Sequence, residues 1–167
     1  MFYGNEEDKR KGKEAEGKFK EWLEKHNIPY IYIGQESETI SRIFKNNFSG
    51  KRPDFMILIP HFGFIFVDIK YKKLTPPYDT YPIDCNETKD YSSIQRKFNL
   101  QVWYVLSNEE YAYKTWFWIP ASKVLEFGIN EYASSRSQNK FFSISSKDFI
   151  QIAEDDSLDR LFSKLYK

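Results

Sequence analysis

Apolar residues recur along the chain with two different periods, which predict where helices and strands lie. From Lys13 to His26, large apolar side chains are spaced by three and four residues, which places one apolar stripe along a helix. The apolar run from Tyr30 to Ile33 follows Pro29 and predicts a strand. Between Gly34 and Gly50 the pattern is weaker, and it indicates only a short helix near Thr39 to Phe44.

A β-hairpin is the clearest local element in the sequence. The runs from Phe55 to Ile59 and from Phe64 to Lys72 are rich in β-branched and aromatic residues, and a Gly-containing connection separates them. The stretch from Leu74 to Cys85 contains three prolines, so it predicts a loop or flap.

The second half of the chain predicts one helix and two strands before its C-terminal part. Asn86 is a candidate N-cap for a helix from Glu87 to Phe98. The apolar runs from Gln101 to Leu106 and from Thr115 to Ile119 read as strands.

The C-terminal part predicts helices. Ser145 followed by Asp148 resembles a capping box. Four apolar residues then repeat at helical spacing: Leu158, Leu161, Phe162 and Leu165. The order of all these elements indicates an α/β fold with a central mixed β-sheet flanked by helices. We expect a single domain over residues 1–167, with a core at about 13–106 and an accessory C-terminal part at about 109–167.

Composition narrows the functional classes only slightly. The net charge of +1 neither requires nor excludes nucleic acid, because the local distribution of charge decides phosphate binding. Cys85 is the single cysteine, which excludes an internal disulfide and indicates a reducing compartment. Without an apolar run of signal-peptide or membrane-spanning length, the expected location is cytoplasmic, away from membranes.

Two acids and a lysine are predicted to converge on the hairpin. Asp68 and Lys70 are two residues apart on a strand, so their side chains share one face. A three-residue connection would place Asp54 across the hairpin beside Asp68. Two carboxylates this close repel each other unless a divalent cation holds both ionised, and oxygen ligands favour Mg²⁺ or Mn²⁺ over Zn²⁺. Lys70 would orient or deprotonate an attacking water, or stabilise charge growing on a phosphate.

Glu16 is a further candidate, because it lies on or beside the apolar stripe of the first helix. A charge at such a position needs a partner. Glu16 would complete the coordination of one ion, or of a second ion about 4 Å away. The alternative is a boundary glutamate paired with Lys13 or Lys20 on the helix surface.

Together these residues resemble the PD-(D/E)XK superfamily of restriction endonuclease-like nucleases. The segment Lys51-Arg52-Pro53-Asp54, the hairpin, and Asp68-Ile69-Lys70 follow a helix that bears Glu16, which is the order of elements in that superfamily. The resemblance implies that Asp54 and Asp68 bind Mg²⁺, that Glu16 contributes to the metal site, and that Lys70 assists the attacking water. It also implies an accessory polar residue on the next helix, for which Gln95 is the best match; ordinary helix surface is the other interpretation of Gln95.

The resemblance implies a metal-dependent nuclease that hydrolyses phosphodiester bonds of DNA. Many members of the superfamily act as dimers, so a homodimer is compatible with the sequence, which does not decide the oligomeric state. One alternative is a catalytically inactive nuclease-fold module that binds nucleic acid or a protein partner. Another is an unrelated, metal-free α/β interaction module. Trp116 and Trp118 share one side of a strand, where they would either stack on bases or fill the core.

Overall fold

The computed structural model describes residues 6–34, 41–48, 51–128, 130–133 and 139–163. In these residues the α-helices are α1 (Glu6–Lys25), α2 (Arg42–Lys45), α3 (Cys85–Phe98), α4 (Ala121–Phe127) and α5 (Arg160–Ser163). The strands are β1 (Tyr30–Tyr32), β2 (Phe55–Ile59), β3 (Gly63–Tyr71), β4 (Thr80–Asp84), β5 (Val102–Ser107), β6 (Trp116–Pro120), β7 (Glu131–Ala133), β8 (Lys140–Ser145) and β9 (Ile150–Ile152).

A six-stranded mixed sheet forms the centre of the molecule, with the strand order β1-β2-β3-β5-β6-β9. All neighbouring pairs are antiparallel except β3 and β5, which run parallel and are connected through β4 and α3. A parallel pair needs such a crossover, because its two strands must enter the sheet from the same end. The predicted α/β fold with a central mixed sheet and flanking helices is confirmed.

Helix α1 covers one face of this sheet. Its apolar stripe is buried and consists of Ala15, Phe19, Trp22 and Leu23. The ring of Phe19 packs within 6 Å of the rings of Trp116 and Trp118, with centroid separations of 5.0 and 5.7 Å. Both tryptophans are fully buried, so their core interpretation is correct and they are not available for stacking on bases.

The opposite face of the sheet packs against α3, α4 and a second, smaller sheet. This accessory sheet has the order β4-β8-β7, and its pairs are antiparallel. Its buried residues join those of α3 and the main sheet in one cluster, which includes Ile83, Phe142 and Ile144. The two faces of the main sheet therefore bury separate apolar clusters.

The hairpin formed by β2 and β3 agrees with its prediction in length and connection. Ile59 pairs with Gly63, which leaves Pro60, His61 and Phe62 as a three-residue connection. Gly63 has a φ of 116°, in the left-handed region where a side chain would be strained. The turn therefore depends on glycine at this position, and it sets the register of both strands.

Several predicted elements were wrong in detail. The stretch from Leu74 to Cys85 is not only a loop or flap, because it contains β4. Helix α3 begins at Cys85 and is capped by Asp84, whose Oδ1 accepts from Glu87 N at 2.8 Å, so Asn86 is not the N-cap. Pro82 lies within β4 and argued against a strand, and the local sequence does not indicate that β4 pairs with the distant strand β8.

The C-terminal part is also less helical than predicted. Ser145 caps only a 3₁₀ turn (Ser146–Asp148), and the chain then enters β9, the outer strand of the main sheet. The terminal helix appears as the short α5, whereas Leu165 lies outside the described residues. The helix expected near Thr39 to Phe44 overlaps α2, and its first residues are likewise outside the described part.

No helix in residues 6–34, 41–48, 51–128, 130–133 and 139–163 has both the length and the apolar character that crossing a membrane requires.

The packing of Phe19 gives a stability prediction. We expect Phe19→Ala to lower the free energy of unfolding by about 3–5 kcal/mol, because it opens a cavity between α1 and the sheet. For a chain of this size, thermal unfolding followed by circular dichroism should shift down by about 6–20 °C. Ile43→Ala is the control, because Ile43 is exposed and its loss should change stability by no more than about 0.5 kcal/mol. Equal melting temperatures for the two variants would contradict this packing.

Candidate active site

The register of the hairpin brings two aspartates together. Phe55 pairs with Val67, so Asp54 lies opposite Asp68 at the end of the ladder, and Asp54 N donates to Val67 O at 2.9 Å. Asp54 Oδ2 also accepts from the backbone N–H of Ile69 at 2.8 Å. Both aspartates are buried, with 2% and 0% exposure. The predicted convergence of these two carboxylates is what the structure shows.

Asp68 is surrounded by donors. Lys70 Nζ lies 2.8 Å from its Oδ2, and Lys51 Nζ lies 3.2 Å from its Oδ1. Tyr91 on α3 donates its hydroxyl to the same Oδ1 at 2.8 Å. A buried carboxylate needs such partners, since an isolated charge in an apolar interior is strongly unfavourable.

Lys70 is held between two acids. On one side is Asp68, and on the other is Glu87 in the first turn of α3, whose Oε1 and Oε2 lie 2.7 and 2.9 Å from Lys70 Nζ. The Lys70 side chain is only 18% exposed. Lys51 reaches the same glutamate at 3.8 Å. The site is therefore a compact network of three acids and two lysines.

The pKa values of the two aspartates in this network are shifted in opposite directions. Burial, and then the charge of Asp68, raise the pKa of Asp54 well above the ordinary value of an aspartate. Burial opposes ionisation of Asp68 as well, but the ammonium groups of Lys70 and Lys51 outweigh it, so the pKa of Asp68 is lowered. Burial also works against the charged form of Lys70, yet Asp68 and Glu87 raise the pKa of Lys70 well above its usual range. Of the two aspartates, Asp54 is therefore the one that keeps its proton to the higher pH.

Glu16 approaches this network from the other face of the sheet. It lies on α1, half-buried, and its Oε2 accepts from the hydroxyl of Tyr32 at 2.9 Å. Its charge contributes to the raised pKa of Asp54, which places it within electrostatic range of that carboxyl. Asp54 immediately precedes β2, at the end of the sheet, where the charge of a residue on α1 acts on it without a direct contact.

Gln95 has a different contact from the one predicted by resemblance. Its Oε1 accepts from the backbone N–H of Val102 at 2.9 Å, which ties α3 to the start of β5. This bond helps to hold α3 over the sheet. The assignment of Gln95 to the active site stays a prediction.

Sequence reasoning missed Glu87. The residue was seen only as the start of a helix, although Glu87, Tyr91 and Gln95 are spaced by four and share one face of α3. The helical spacing was the available signal, but only the packing of α3 against β3 shows that this face points at Lys70.

The donor set fits a hard divalent cation. Asp54 and Asp68 supply carboxylate oxygens of the type that Mg²⁺ and Mn²⁺ take, and Mg²⁺ ordinarily keeps several waters as further ligands. Burial and the charge of Asp68 raise the pKa of Asp54, and the positive charge of Lys51 offsets them only in part. Among the residues that the structure describes, no three His, Cys, Asp or Glu side chains gather as a ready metal cluster. A cation at this site would therefore be held by the aspartate pair, and in the described residues Glu16 does not join the pair as a third ligand.

Comparisons with known proteins identify the fold. The chain matches no protein-family model and no curated protein sequence. It is similar to the structure of Hjc, a Holliday junction resolvase from the archaeal hyperthermophile Archaeoglobus fulgidus, with a TM-score of 0.52 and 13% identity over 85% of this chain and 95% of that one. It is also similar to a nuclease from a fusselovirus, with a TM-score of 0.51 and 12% identity over 100% of this chain and 99% of that one.

These likenesses show the fold of the chain. It is a mixed α/β, restriction endonuclease-like fold, which confirms the predicted resemblance at the level of the fold.

The proton on Asp54 gives a prediction about stability. An unfolded aspartate loses its proton near pH 3.9, whereas folded Asp54 keeps its proton to higher pH, so stability falls as pH rises through that window. Asp54→Asn removes this loss of stability, because the amide does not ionise, and the amide oxygen can still accept the hydrogen bond from Ile69 N–H. We expect it to melt a few degrees above the wild type at pH 7 in EDTA, since about 1 kcal/mol corresponds to roughly 2–4 °C here.

Asp68→Asn is the matched comparison. Because the pKa of Asp68 is lowered, its ionised form stabilises the fold above the unfolded pKa, and this stabilisation is lost as pH falls. Asp68→Asn should therefore melt below the wild type at pH 7. Melting curves from pH 5 to 8 check both variants, and a lower melting temperature for Asp54→Asn would contradict the proposed proton distribution.

Proposed function

We propose that this protein is a metal-dependent nuclease that hydrolyses phosphodiester bonds of DNA. One observation carries the proposal: a buried aspartate pair lies beside a lysine that is held at the same surface, within a fold shared with nucleases. Pairs of carboxylates beside a fixed lysine suit cleavage of phosphodiesters, because the reaction needs a bound cation, a positioned water and positive charge near phosphorus.

The roles of the residues follow from their contacts. Asp54 and Asp68 would hold Mg²⁺ or Mn²⁺, with Glu16 in support, and the cation would supply Lewis-acid polarisation of the scissile phosphate. Lys70 keeps its proton in this network, so it would act as a hydrogen-bond donor that orients the attacking water and stabilises charge on the phosphate. Glu87 would fix the position of Lys70, because it contacts the ammonium group directly.

Nucleic acid is the proposed partner, and DNA the proposed substrate. The named structural neighbours are a Holliday junction resolvase and a viral nuclease, which supports a nucleic acid as the ligand of this fold. Cleavage would proceed by in-line attack of water on phosphorus, with the bond to the leaving oxygen broken as the new bond forms.

A second candidate is a nuclease-fold module that binds nucleic acid or a protein without cutting. One observation favours it: Lys51 and Lys70 already neutralise Asp68, so the network is balanced on that side without a cation. The raised pKa of Asp54 favours the metal-binding alternative, because the other half of the pair is not balanced. Cleavage and metal-binding measurements separate the two.

The first measurement is cleavage of single-stranded, duplex and branched DNA and of RNA with Mg²⁺, Mn²⁺ or EDTA. We expect cutting of DNA that requires the metal and that falls by at least about 100-fold in Asp68→Ala and Lys70→Ala, because each change removes a group that faces the phosphate or its cation. Lys73→Ala is the matched control, since Lys73 is an exposed lysine paired with Glu109 just beyond β3. Cutting that survives in both site variants would place catalysis elsewhere.

Metal binding has a readout that does not depend on catalysis. A cation that binds only the folded protein should raise the melting temperature by roughly 5–10 °C at about 100 times its dissociation constant. We expect this rise with Mn²⁺ in the wild type and its loss in Asp54→Asn, because the variant cannot supply a second charged oxygen. An intermediate rise is expected for Glu16→Gln. An equal rise in the wild type and Asp54→Asn would show that the ion binds at another site.

A further inference from the structure

A groove of about 1060 Å³ runs along the accessory sheet and ends beside the candidate active site. At its inner end are Lys72, two residues after Lys70, and Asp84, three residues before Glu87. The charges of Lys70 and Glu87 both act on the Lys72 ammonium, which shows how near this end is to the network. The groove therefore lies next to the site, close to Lys70 and Glu87.

Two tyrosines with exposed side chains line the groove. Tyr78 is 76% exposed and Tyr132 is 47% exposed. Large aromatic rings are normally buried, and those that remain exposed beside a cleft commonly serve binding.

Local structure holds the backbone at Tyr78 and the ring of Tyr132. Tyr78 N donates to Thr75 O at 3.1 Å within a turn, and Thr75 N closes that turn by donating to Thr80 O at 2.9 Å. The ring of Tyr132 stacks on that of Phe141, with centroids 5.8 Å apart and planes at 28°. A ring that is already oriented loses little entropy when a flat ligand stacks on it.

Positive charge accompanies the rings. Lys72 has no ion pair among the described residues, and burial together with the charge of Lys70 lowers its pKa. Lys140 lies at the outer end and pairs with Glu131 at 3.2 Å. The carboxylate of Asp84 is engaged as the cap of α3. The groove thus offers the unpaired ammonium of Lys72 near the site and, at its far end, the ammonium of Lys140, which is paired with Glu131.

We propose that this groove binds an unpaired nucleic-acid strand and leads it to the active site. Exposed aromatic rings stack on the faces of bases, and lysines contact the phosphates between them, which is how single strands are held without reading their sequence. In a duplex the faces of the bases are stacked on each other and are not available to the tyrosines. The inference rests on the proposed nuclease function and specifies its substrate as one with a single-stranded segment.

Binding is measured in EDTA, so that it does not depend on cutting. Fluorescence anisotropy would follow labelled single-stranded DNA, single-stranded RNA and duplex DNA of the same sequence. We expect the wild type to prefer a single strand over the duplex. Removal of each ring should weaken single-strand binding about five-fold or more, and Tyr78→Ala with Tyr132→Ala together by at least about 20-fold.

Matched variants separate stacking from other effects. Tyr78→Phe with Tyr132→Phe keeps both rings and should bind within about two-fold of the wild type. Phe62 lies in the hairpin turn, at the end of β2 that is far from Asp54, and its ring is also exposed. Phe62→Ala should therefore leave single-strand binding unchanged. Lys72→Gln should reduce the slope of log affinity against log salt by about 0.7, whereas loss of the tyrosines should leave that slope unchanged.

The outcomes distinguish the two proposals. Equal single-strand affinity in the wild type and the double alanine variant, or equal binding of single strand and duplex, would overturn the groove assignment. Loss of single-strand affinity in the double alanine variant alone would support it. If the groove binds single strands but no substrate is cut with any metal, the nuclease proposal fails and the groove assignment stands.

Discussion

The complete burial of one carboxylate, that of Asp68, is the constraint on which the site depends. A charge with 0% exposure in the centre of a sheet is tolerated only when donors surround it. Two lysines and a tyrosine from three separate segments provide these donors. Asp54 stands on the other side without equivalent partners, so burial raises its pKa. The site therefore combines one aspartate whose charge is compensated with one whose charge is not, and a divalent cation would remove that asymmetry.

Much of this arrangement could be predicted from the sequence because it is local. The alternation of residues in β3 puts Asp68 and Lys70 on one face, and the three-residue turn sets the register that places Asp54 opposite. Both facts depend on residues fewer than twenty positions apart. The order of the elements was enough to predict the central mixed sheet and its helices.

The rest could not be predicted because it depends on distant parts of the chain. Glu87 reaches Lys70 only after α3 has packed across the sheet, and no local pattern shows which side of that helix faces the strand. The same holds for β4, whose partner β8 lies about sixty residues further on. Pro82 in β4 argued for a loop, yet the strand forms at the edge of a small sheet, where proline is tolerated.

The direct junction between β4 and α3 links the two sheets mechanically. Asp84 ends the strand, caps the helix and is followed at once by Cys85, so no loop absorbs a displacement between them. Thr88 adds a second bond across this junction, donating to Asp84 O at 2.6 Å. A shift of the accessory sheet would therefore move the first turn of α3, which contains Glu87. The position of Lys70 is thus coupled to a sheet that contributes no acid to the network around this lysine.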